Sequence, residues 1–165
     1  MPQNERPKKK SALHVIGLIS DTHGLVRPEA IEALQGVDLV IHAGDIGKPE
    51  VLDALKAIGP LVAIKGNNDI AAWAKPLPDT RLVQTAYTTL FVIHNVKELD
   101  CDPATKGYDV IISGHSHKPS IVTRDGVLFV NPGSAGPRRF KLPVAVGKLF
   151  IQNQKVNAEL IELCV

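Results

Sequence analysis

The sequence predicts an α/β fold whose first half forms a parallel β-sheet. Hydrophobic runs of strand length alternate with helical patterns at short spacing, which is typical of strand–helix–strand units with right-handed crossovers. The 165 residues are 44% hydrophobic but only 4% aromatic, so the core must consist mainly of Val, Ile, Leu and Ala. Such a composition suits strands that are buried on both faces. At this length a single domain is expected.

Proline and glycine mark the two helices expected in the first half. Pro28 and Pro49 stand in the first turn of each helix, and Gly36 and Gly59 stand just past the end. The runs between them are apolar and favour buried strands. In chain order, the elements expected here are a strand at 13–19, a helix at 28–35, a strand at 38–41, a helix at 49–58, a strand at 61–65 and an irregular segment at 71–78.

The second half shows a different pattern, in which strands follow one another through short turns. Asp125-Gly126 separates two apolar runs and is a strong hairpin signal. Asn153 lies near another expected turn. The elements expected here are a hairpin of strands at 81–86 and 89–93, a short helix at 101–106, a strand at 108–113, a hairpin at 121–124 and 127–130, and a last pair of strands at 143–151 and 156–163.

Charge is unevenly distributed along the chain. The net charge is +2, but the first eleven residues alone carry +3, which leaves −1 for the remainder. The folded part is therefore not a broadly basic binder of nucleic acid, and long nucleic acids are not expected as partners. We expect residues 1–11 to form a disordered, solvated arm before one domain at 12–165. A weak electrostatic anchor for polyanions and a translocation signal are the alternatives for the arm.

The sequence also bears on the cellular compartment. The basic arm lacks the apolar segment of a secretory signal, and no stretch approaches the length of a membrane span. Cys101 and Cys164 are far apart and match no CxxC pattern, so we expect free thiols. Free thiols are typical of a reducing compartment, and a cytoplasmic protein is therefore predicted.

Side chains of the types that bind metals follow four of the predicted strands, and a fifth strand ends at His94. In open α/β sheets the functional crevice lies at the carboxyl ends of the strands. Each string alone is typical of a turn, but together they offer the mixed carboxylate, amide and imidazole donors that two divalent cations accept. The strings are Asp21-Thr22-His23, Gly44-Asp45, Gly66-Asn67-Asn68-Asp69 and Gly114-His115-Ser116-His117.

Four further polar residues are expected near the site without being ligands. His42 is expected in the core or in support of a ligand, rather than as a ligand itself. Asp69 is expected to orient its own loop or a ligand histidine. Arg138 and Arg139 either contact a phosphate, which suits the guanidinium geometry, or are only solvated.

The ordered set Asp-x-His, Gly-Asp, Gly-Asn-x-Asp, His and Gly-His-x-His resembles the calcineurin-like metallophosphoesterase superfamily over residues 13–163. Asn-Pro-Gly-Ser at 131–134 and the compact length resemble its small single-domain YfcE-like phosphodiesterase branch. The resemblance implies an α/β fold of two packed mixed β-sheets flanked by helices. It also implies a phosphoesterase, with phosphodiesters as the predicted substrates. The alternative is a non-catalytic scaffold of this fold that binds proteins, but such scaffolds typically lose metal ligands that are all present here.

The same resemblance implies a ligand set for two divalent ions. Mn²⁺ is expected, with Ni²⁺, Fe²⁺ and Zn²⁺ as alternatives. Asp45 would bridge the two ions, and a water held between them would become the nucleophile. Catalytic roles are implied for Asp45, Asn67 and Asn68. The first ion would take Asp21, His23, Asp45 and His117, and the second ion Asp45, Asn67, His94 and His115.

Two positions depart from the pattern of the superfamily. Many members have, at the position of Asn68, a histidine that protonates the leaving group or steadies the phosphate. Asparagine can donate a hydrogen bond but cannot act as a general acid. His94 is followed by Asn95-Val96, where relatives often have glycine and a second histidine. The expected partner is a small phosphoester substrate, and homo-oligomer formation is left open.

Overall fold

The computed structural model describes residues 14–165, and the predicted arm at 1–11 lies outside them. The predicted α/β fold with two mixed β-sheets is confirmed. No helix within 14–165 is long and apolar enough to cross a membrane. In chain order, the elements are β1 (His14–Ile19), α1 (Pro28–Ala33), β2 (Leu39–His42), α2 (Pro49–Lys56), β3 (Leu61–Ala63), β4 (Thr80–Gln84), β5 (Thr89–Ile93), β6 (Val110–Ile112), β7 (Ser120–Arg124), β8 (Val127–Asn131), β9 (Ala145–Gln152) and β10 (Lys155–Glu162).

Sheet A has the strand order β10-β9-β1-β2-β3. The strands β1, β2 and β3 are parallel, as the crossover pattern predicted, and β9 and β10 add an antiparallel edge. Sheet B has the order β4-β5-β6-β8-β7, in which β5, β6 and β8 are parallel and the two outer strands are antiparallel. The carboxyl ends of five parallel strands thus carry the loops that contain the predicted ligands.

The main hydrophobic core lies between the two sheets. Ile16 and Leu18 from sheet A are fully buried there together with Leu90 and Val92 from sheet B. Because side chains alternate along a strand, the other face of β1 points towards the helices. Gly17 lies on that face, and a Cβ at this position would come within 2.8 Å of Leu34, so glycine is what allows α1 to approach the sheet.

Most predicted boundaries agree with the structure, but the short helix predicted at 101–106 is wrong. This segment consists of turns. The side chain of Asp102 accepts hydrogen bonds from the backbone N–H of Ala104 at 3.2 Å and from the hydroxyl of Thr105 at 2.7 Å. Such local bonds compete with the backbone bonds of a helix. The predicted hairpin turn is confirmed, since Asp125 and Gly126 have φ values of 51° and 77° between β7 and β8.

Candidate metal centre

The seven predicted ligands lie on one rim of the molecule, where the loops after β1, β2 and β3 of sheet A meet the loops after β5 and β6 of sheet B. The loops touch directly, because the backbone N–H of His115 donates to Asp21 at 3.1 Å and Gly114 donates to the carbonyl of His94 at 2.9 Å. Loops of both sheets therefore form the rim. In chain order its polar side chains are Asp21, His23, Asp45, Asn67, His94, His115 and His117.

The first cluster on this rim joins Asp21, His23 and His117. The Nε2 atom of His117 lies 3.4 Å from Oδ1 of Asp21, and the Nε2 atom of His23 lies 4.0 Å from the same oxygen. The two Nε2 atoms are 3.4 Å apart. Asp21 and His117 are buried, and His23 is partly exposed, so the cluster opens to solvent on the side of His23.

The second cluster joins Asp21, Asp45 and His94, all three of which are buried. The Nε2 atom of His94 lies 3.3 Å from Oδ2 of Asp45 and 3.8 Å from Oδ1 of Asp21. Oδ2 of Asp45 also lies 3.9 Å from Nε2 of His23. The carboxylate of Asp45 therefore faces a histidine of each cluster, and so does that of Asp21, which belongs to both clusters.

Asn67 and His115 stand beside the second cluster. Oδ1 of Asn67 and Nδ1 of His115 are 3.2 Å apart, and both residues are exposed. The ring of His115 meets the ring of His94 edge-on, with 5.2 Å between the centroids. The pair thus extends the donor set of the second cluster towards solvent.

The hydrogen bonds of His94 determine which of its ring nitrogens faces the carboxylates. Nδ1 lies 2.7 Å from the carbonyl oxygen of Ala43, so it carries the proton and donates. In the neutral ring, Nε2 then presents a lone pair to Asp21 and Asp45. Within the described residues, Nε2 of His94, Oδ1 of Asp21 and Nδ1 of His117 are buried without a hydrogen-bond partner. Of these atoms, Nε2 of His94 and Oδ1 of Asp21 face each other at 3.8 Å, and two such buried acceptors are costly unless they share a proton or a cation. The donor set therefore fits a divalent cation.

The charges at the rim also suit a cation. Burial acts to raise the pKa of Asp45, but the His94 imidazole, the Asn68 N–H and His23 outweigh it, and the pKa is lowered to about 2. Burial acts to lower the pKa of His94, but the carboxylate of Asp45, the carbonyl of Ala43 and Asp21 outweigh it and raise the pKa. A cation at this place would take the position of the second proton, on Nε2 of His94, while Nδ1 keeps its proton towards Ala43.

Asn68 holds the carboxylate of Asp45 from the side of the β3 loop. Its backbone N–H donates to Oδ1 of Asp45 at 2.9 Å, and its side-chain Nδ2 donates to Oδ2 at 3.1 Å. Both oxygens of one carboxylate are thus fixed by a single residue. This positioning contact of Asn68 was not predicted from the sequence.

Five of the seven predicted ligands have a left-handed backbone. The φ values are 54° for Asp21, 47° for His23, 57° for Asp45, 70° for His115 and 60° for His117. Such values are uncommon outside glycine and cost free energy, and they occur preferentially where function requires them. Backbone hydrogen bonds hold the strained loops, since Asp21 and His23 donate to the carbonyls of Gly44 and Asp45, both at 3.0 Å.

His42 and Asp69 support the loops rather than the ligand side chains. Nδ1 of the fully buried His42 accepts from the N–H of Gly44 at 3.1 Å, so Nε2 carries the proton and lies 2.9 Å from the hydroxyl of Thr22. Burial lowers the pKa of His42 to about 4. Asp69 accepts from the N–H groups of Ile46, Gly47 and Gly66, at distances from 2.9 to 3.0 Å. Of the two roles considered for Asp69, the structure shows loop orientation.

Two serines at the rim were not predicted from the sequence. The hydroxyl of Ser20 donates to Oδ2 of Asp21 at 2.8 Å. The hydroxyl of Ser134 donates to the backbone carbonyl of Asp21 at 2.9 Å, across 113 positions in the chain. Ser134 belongs to the Asn-Pro-Gly-Ser string, which was the only available signal. Together the two serines fix the side chain and the backbone of Asp21.

The structure distinguishes Arg138 from Arg139. Arg138 Nη2 donates to the backbone oxygen of Val165 at 3.3 Å, so this side chain is directed to the last residue of the chain. Arg139 makes no ion pair within residues 14–165 and stays near the rim. Burial is the main cause that lowers the pKa of His23, and the positive charge of Arg139 adds to it. Of the two arginines, Arg139 is therefore the one whose charge acts on a predicted ligand.

Comparison with known proteins identifies the superfamily to which this chain belongs. The model of the calcineurin-like phosphoesterase superfamily domain matches residues 15–154, and this chain belongs to that superfamily. It is 34% identical over 159 residues to a probable metallophosphoesterase of Methanothermobacter thermautotrophicus, with 89% of this chain and 91% of the relative covered.

Two solved structures extend the comparison. The structure of a novel archaeal phosphodiesterase has a TM-score of 0.72 and 26% identity, and the match covers 89% of this chain and 99% of that protein. Wild-type Vps29 from Entamoeba histolytica, solved in complex with Zn²⁺, has a TM-score of 0.70 and 20% identity, with 90% and 98% covered. The second likeness shows a shared fold.

Proposed function

We propose that this chain is a metal-dependent phosphodiesterase that uses two divalent ions. The observation that carries the proposal is the orientation of the His94 ring. Its Nδ1 donates a hydrogen bond to the backbone carbonyl of Ala43, and its Nε2 faces the carboxylates of Asp45 and Asp21. A buried imidazole lone pair directed at two carboxylates requires a positive charge between them. The likeness to an archaeal phosphodiesterase supports the choice of diesters over monoesters.

The ions would share Asp45. Nitrogen and oxygen donors in this mixture suit transition-type ions, so we expect Mn²⁺, with Ni²⁺, Fe²⁺ or Zn²⁺ as alternatives. The first ion would be held by Asp21, His23, Asp45 and His117, and the second by Asp45, Asn67, His94 and His115. Two such ions, when bound, supply Lewis acidity to phosphate oxygens and lower the pKa of bound water.

The residues of the chain would position and neutralise the reacting groups. Asn68 fixes both oxygens of Asp45, so the shared carboxylate keeps its orientation during turnover. Arg139 would contact the non-bridging oxygens of the phosphate, since its guanidinium lacks an ion-pair partner within 14–165 and acts on His23. The amide of Asn68 cannot give a proton to the leaving group, so substrates with good leaving groups are expected to react fastest.

Metal analysis combined with a phosphodiesterase assay tests this proposal. Protein freed of metal with a chelator and reloaded with Mn²⁺ should bind two ions and hydrolyse bis(p-nitrophenyl) phosphate. The metal-free protein should be inactive. His94→Ala should reduce metal content and turnover together, whereas the matched control His14→Ala, at the start of β1, should change neither. Full activity in the chelated protein would contradict the proposal.

The alternative is a non-catalytic scaffold that binds protein partners through the same fold. The similarity of fold to Vps29 is the reason why the scaffold alternative is retained. Loss of ligands is what a scaffold would be expected to show, and this chain keeps all seven side chains on one rim. A fully metallated protein that cleaves no phosphoester would favour the scaffold. A cytoplasmic location remains a prediction that rests on the free thiols of Cys101 and Cys164.

A further inference from the structure

Two grooves lead away from the candidate metal centre in different directions. One has a volume of about 490 Å³ and lies along β7 and β8. The other has a volume of about 540 Å³ and lies along β5 towards the start of β4. Both are lined by Asn95 and His115, so they meet beside the second cluster. A phosphodiester has two organic arms, and a phosphorus atom at the centre would direct one arm into each groove.

The two grooves carry opposite charge. The groove along β7 and β8 is lined by Lys97 and Arg124 and by no carboxylate, and we call it the basic groove. The other is lined by Asp79, Glu98 and Asp100, and we call it the acidic groove. Its single lysine, Lys65, pairs with Asp79 at 3.7 Å, so Glu98 and Asp100 give this groove its net negative charge. A phosphodiester whose arms differ in charge would therefore bind in one preferred direction.

Arg124 is held in place on the wall of the basic groove. Its Cζ atom lies 5.6 Å from the centroid of the Phe129 ring, within the range of a cation–π contact. Neither Arg124 nor Lys97 makes an ion pair within the part of the chain that the structure describes, so both charges remain available. Val122 adds an apolar wall that is 41% exposed, and Ser120 adds a hydroxyl. The groove thus offers two cations, an aromatic surface and a hydrogen-bonding group.

We propose that the basic groove binds a substrate arm that carries a second anionic group, as a phosphorylated nucleoside does. The inference rests on the proposed phosphodiesterase function and names the class of its substrate. The anionic group would pair with Arg124 and Lys97, and the apolar part of the arm would lie against Val122 and Phe129. The carboxylates of the acidic groove would repel a second anion, so this groove takes a neutral or cationic arm.

Two chromogenic esters that differ by one phosphate test the proposal. They are the p-nitrophenyl ester of thymidine 5′-phosphate and the same ester with a further phosphate on the 3′ oxygen. The wild type should cleave the second with a kcat/KM about tenfold higher, equivalent to about 1.4 kcal/mol, and mainly through a lower KM. The double variant Lys97→Ala/Arg124→Ala should reduce this ratio to about 1.

The control variant is Lys155→Ala, which removes one exposed lysine at the opposite end of sheet A and should keep the ratio. High salt should lower the ratio in the wild type, because exposed charges are screened. Thymidine dinucleotides with and without a terminal phosphate, used as competing substrates, test the reverse orientation. The phosphorylated dinucleotide should compete better for the wild type, and the double variant should lose this preference.

The outcomes separate the two proposals. A ratio near 1 in the wild type, without an advantage for phosphorylated dinucleotides, would overturn the inference and leave the function intact. A preference that persists in the double variant would also overturn it. Failure to cleave either ester, or bis(p-nitrophenyl) phosphate, would overturn the proposed function and the inference with it.

Discussion

Asn68 binds both carboxylate oxygens of Asp45, with its backbone N–H 2.9 Å from Oδ1 and its side-chain Nδ2 3.1 Å from Oδ2. A residue that follows β3 thus determines the orientation of a carboxylate that follows β2. Residues that orient a ligand through hydrogen bonds affect metal affinity strongly although they do not touch the metal. The position that often holds a histidine in the superfamily therefore has a structural task in this chain.

Removing the side-chain contact should weaken metal binding. Asn68→Ala keeps the backbone bond to Oδ1 but loses the bond to Oδ2, so we expect the affinity for Mn²⁺ to fall by about 10- to 100-fold. Titration calorimetry, with Mn²⁺ added to the metal-free protein, measures this affinity directly. Asn157→Ala, on the exposed face of β10, is the matched control and should bind as the wild type does. An unchanged affinity in Asn68→Ala would show that the contact does not position Asp45.

The absence of a general acid at position 68 should appear in the dependence of rate on the leaving group. For aryl phosphodiesters with increasingly poor phenols, the wild-type rate should fall steeply. Asn68→His should make the fall shallower if the imidazole reaches the leaving oxygen, since a positioned acid is worth about 10²- to 10⁴-fold. Asn68→Ala also loses the contact to Asp45 but should keep the steep fall. A shallow dependence in the wild type would reveal a proton donor elsewhere.

The two neighbouring arginines should differ in their effect on catalysis. Arg139→Ala should lower kcat/KM for bis(p-nitrophenyl) phosphate by about 10- to 100-fold, because a hydrogen bond to a charged group contributes about 1.5–3 kcal/mol. Arg139→Lys should recover part of the loss. Arg138→Ala is the control, since Arg138 is directed to the backbone oxygen of Val165. A larger loss in Arg138→Ala than in Arg139→Ala would reverse the assignment.

His42 should make the metal-free protein less stable in acid. Its pKa is lowered from 6.5 to about 4 in the folded state by burial, so between these values the unfolded chain binds a proton that the folded chain does not. The free energy of unfolding should therefore fall as the pH decreases from 6.5 to 4, by about 3 kcal/mol from this group.

The variant His42→Gln isolates this contribution. Denaturant unfolding at several pH values should give a wild-type curve that is steeper than that of His42→Gln between pH 4 and 6.5. His14→Gln serves as the control and should keep the wild-type slope. Equal slopes for the wild type and His42→Gln would show that His42 is not held neutral in the fold.

The sequence was sufficient to predict the rim because topology determines it. Apolar runs before Asp21, Asp45 and His115 predict strand ends, and parallel strands bring the ends within one sheet to one edge. That the edge of sheet B with His115 meets the edge of sheet A was implied only by the family resemblance. The contacts of Ser134 and Asn68 could not be predicted, because a residue pattern carries no information about side-chain direction between residues 113 or 23 positions apart. The turns at Asp102 were missed because local side-chain bonds override a weak helical pattern.

Anomalous scattering from crystals loaded with Mn²⁺ is the most direct test of the central claim, which is that seven side chains hold two ions with Asp45 between them. The wild type should show two peaks per chain, about 3.5–4 Å apart, both adjacent to Asp45. Asp45→Asn should fold normally and lose at least one peak, since the residue lies on the rim and not in the hydrophobic core. A single peak in the wild type at saturating metal, or peaks whose ligands lie outside the seven side chains, would contradict the account.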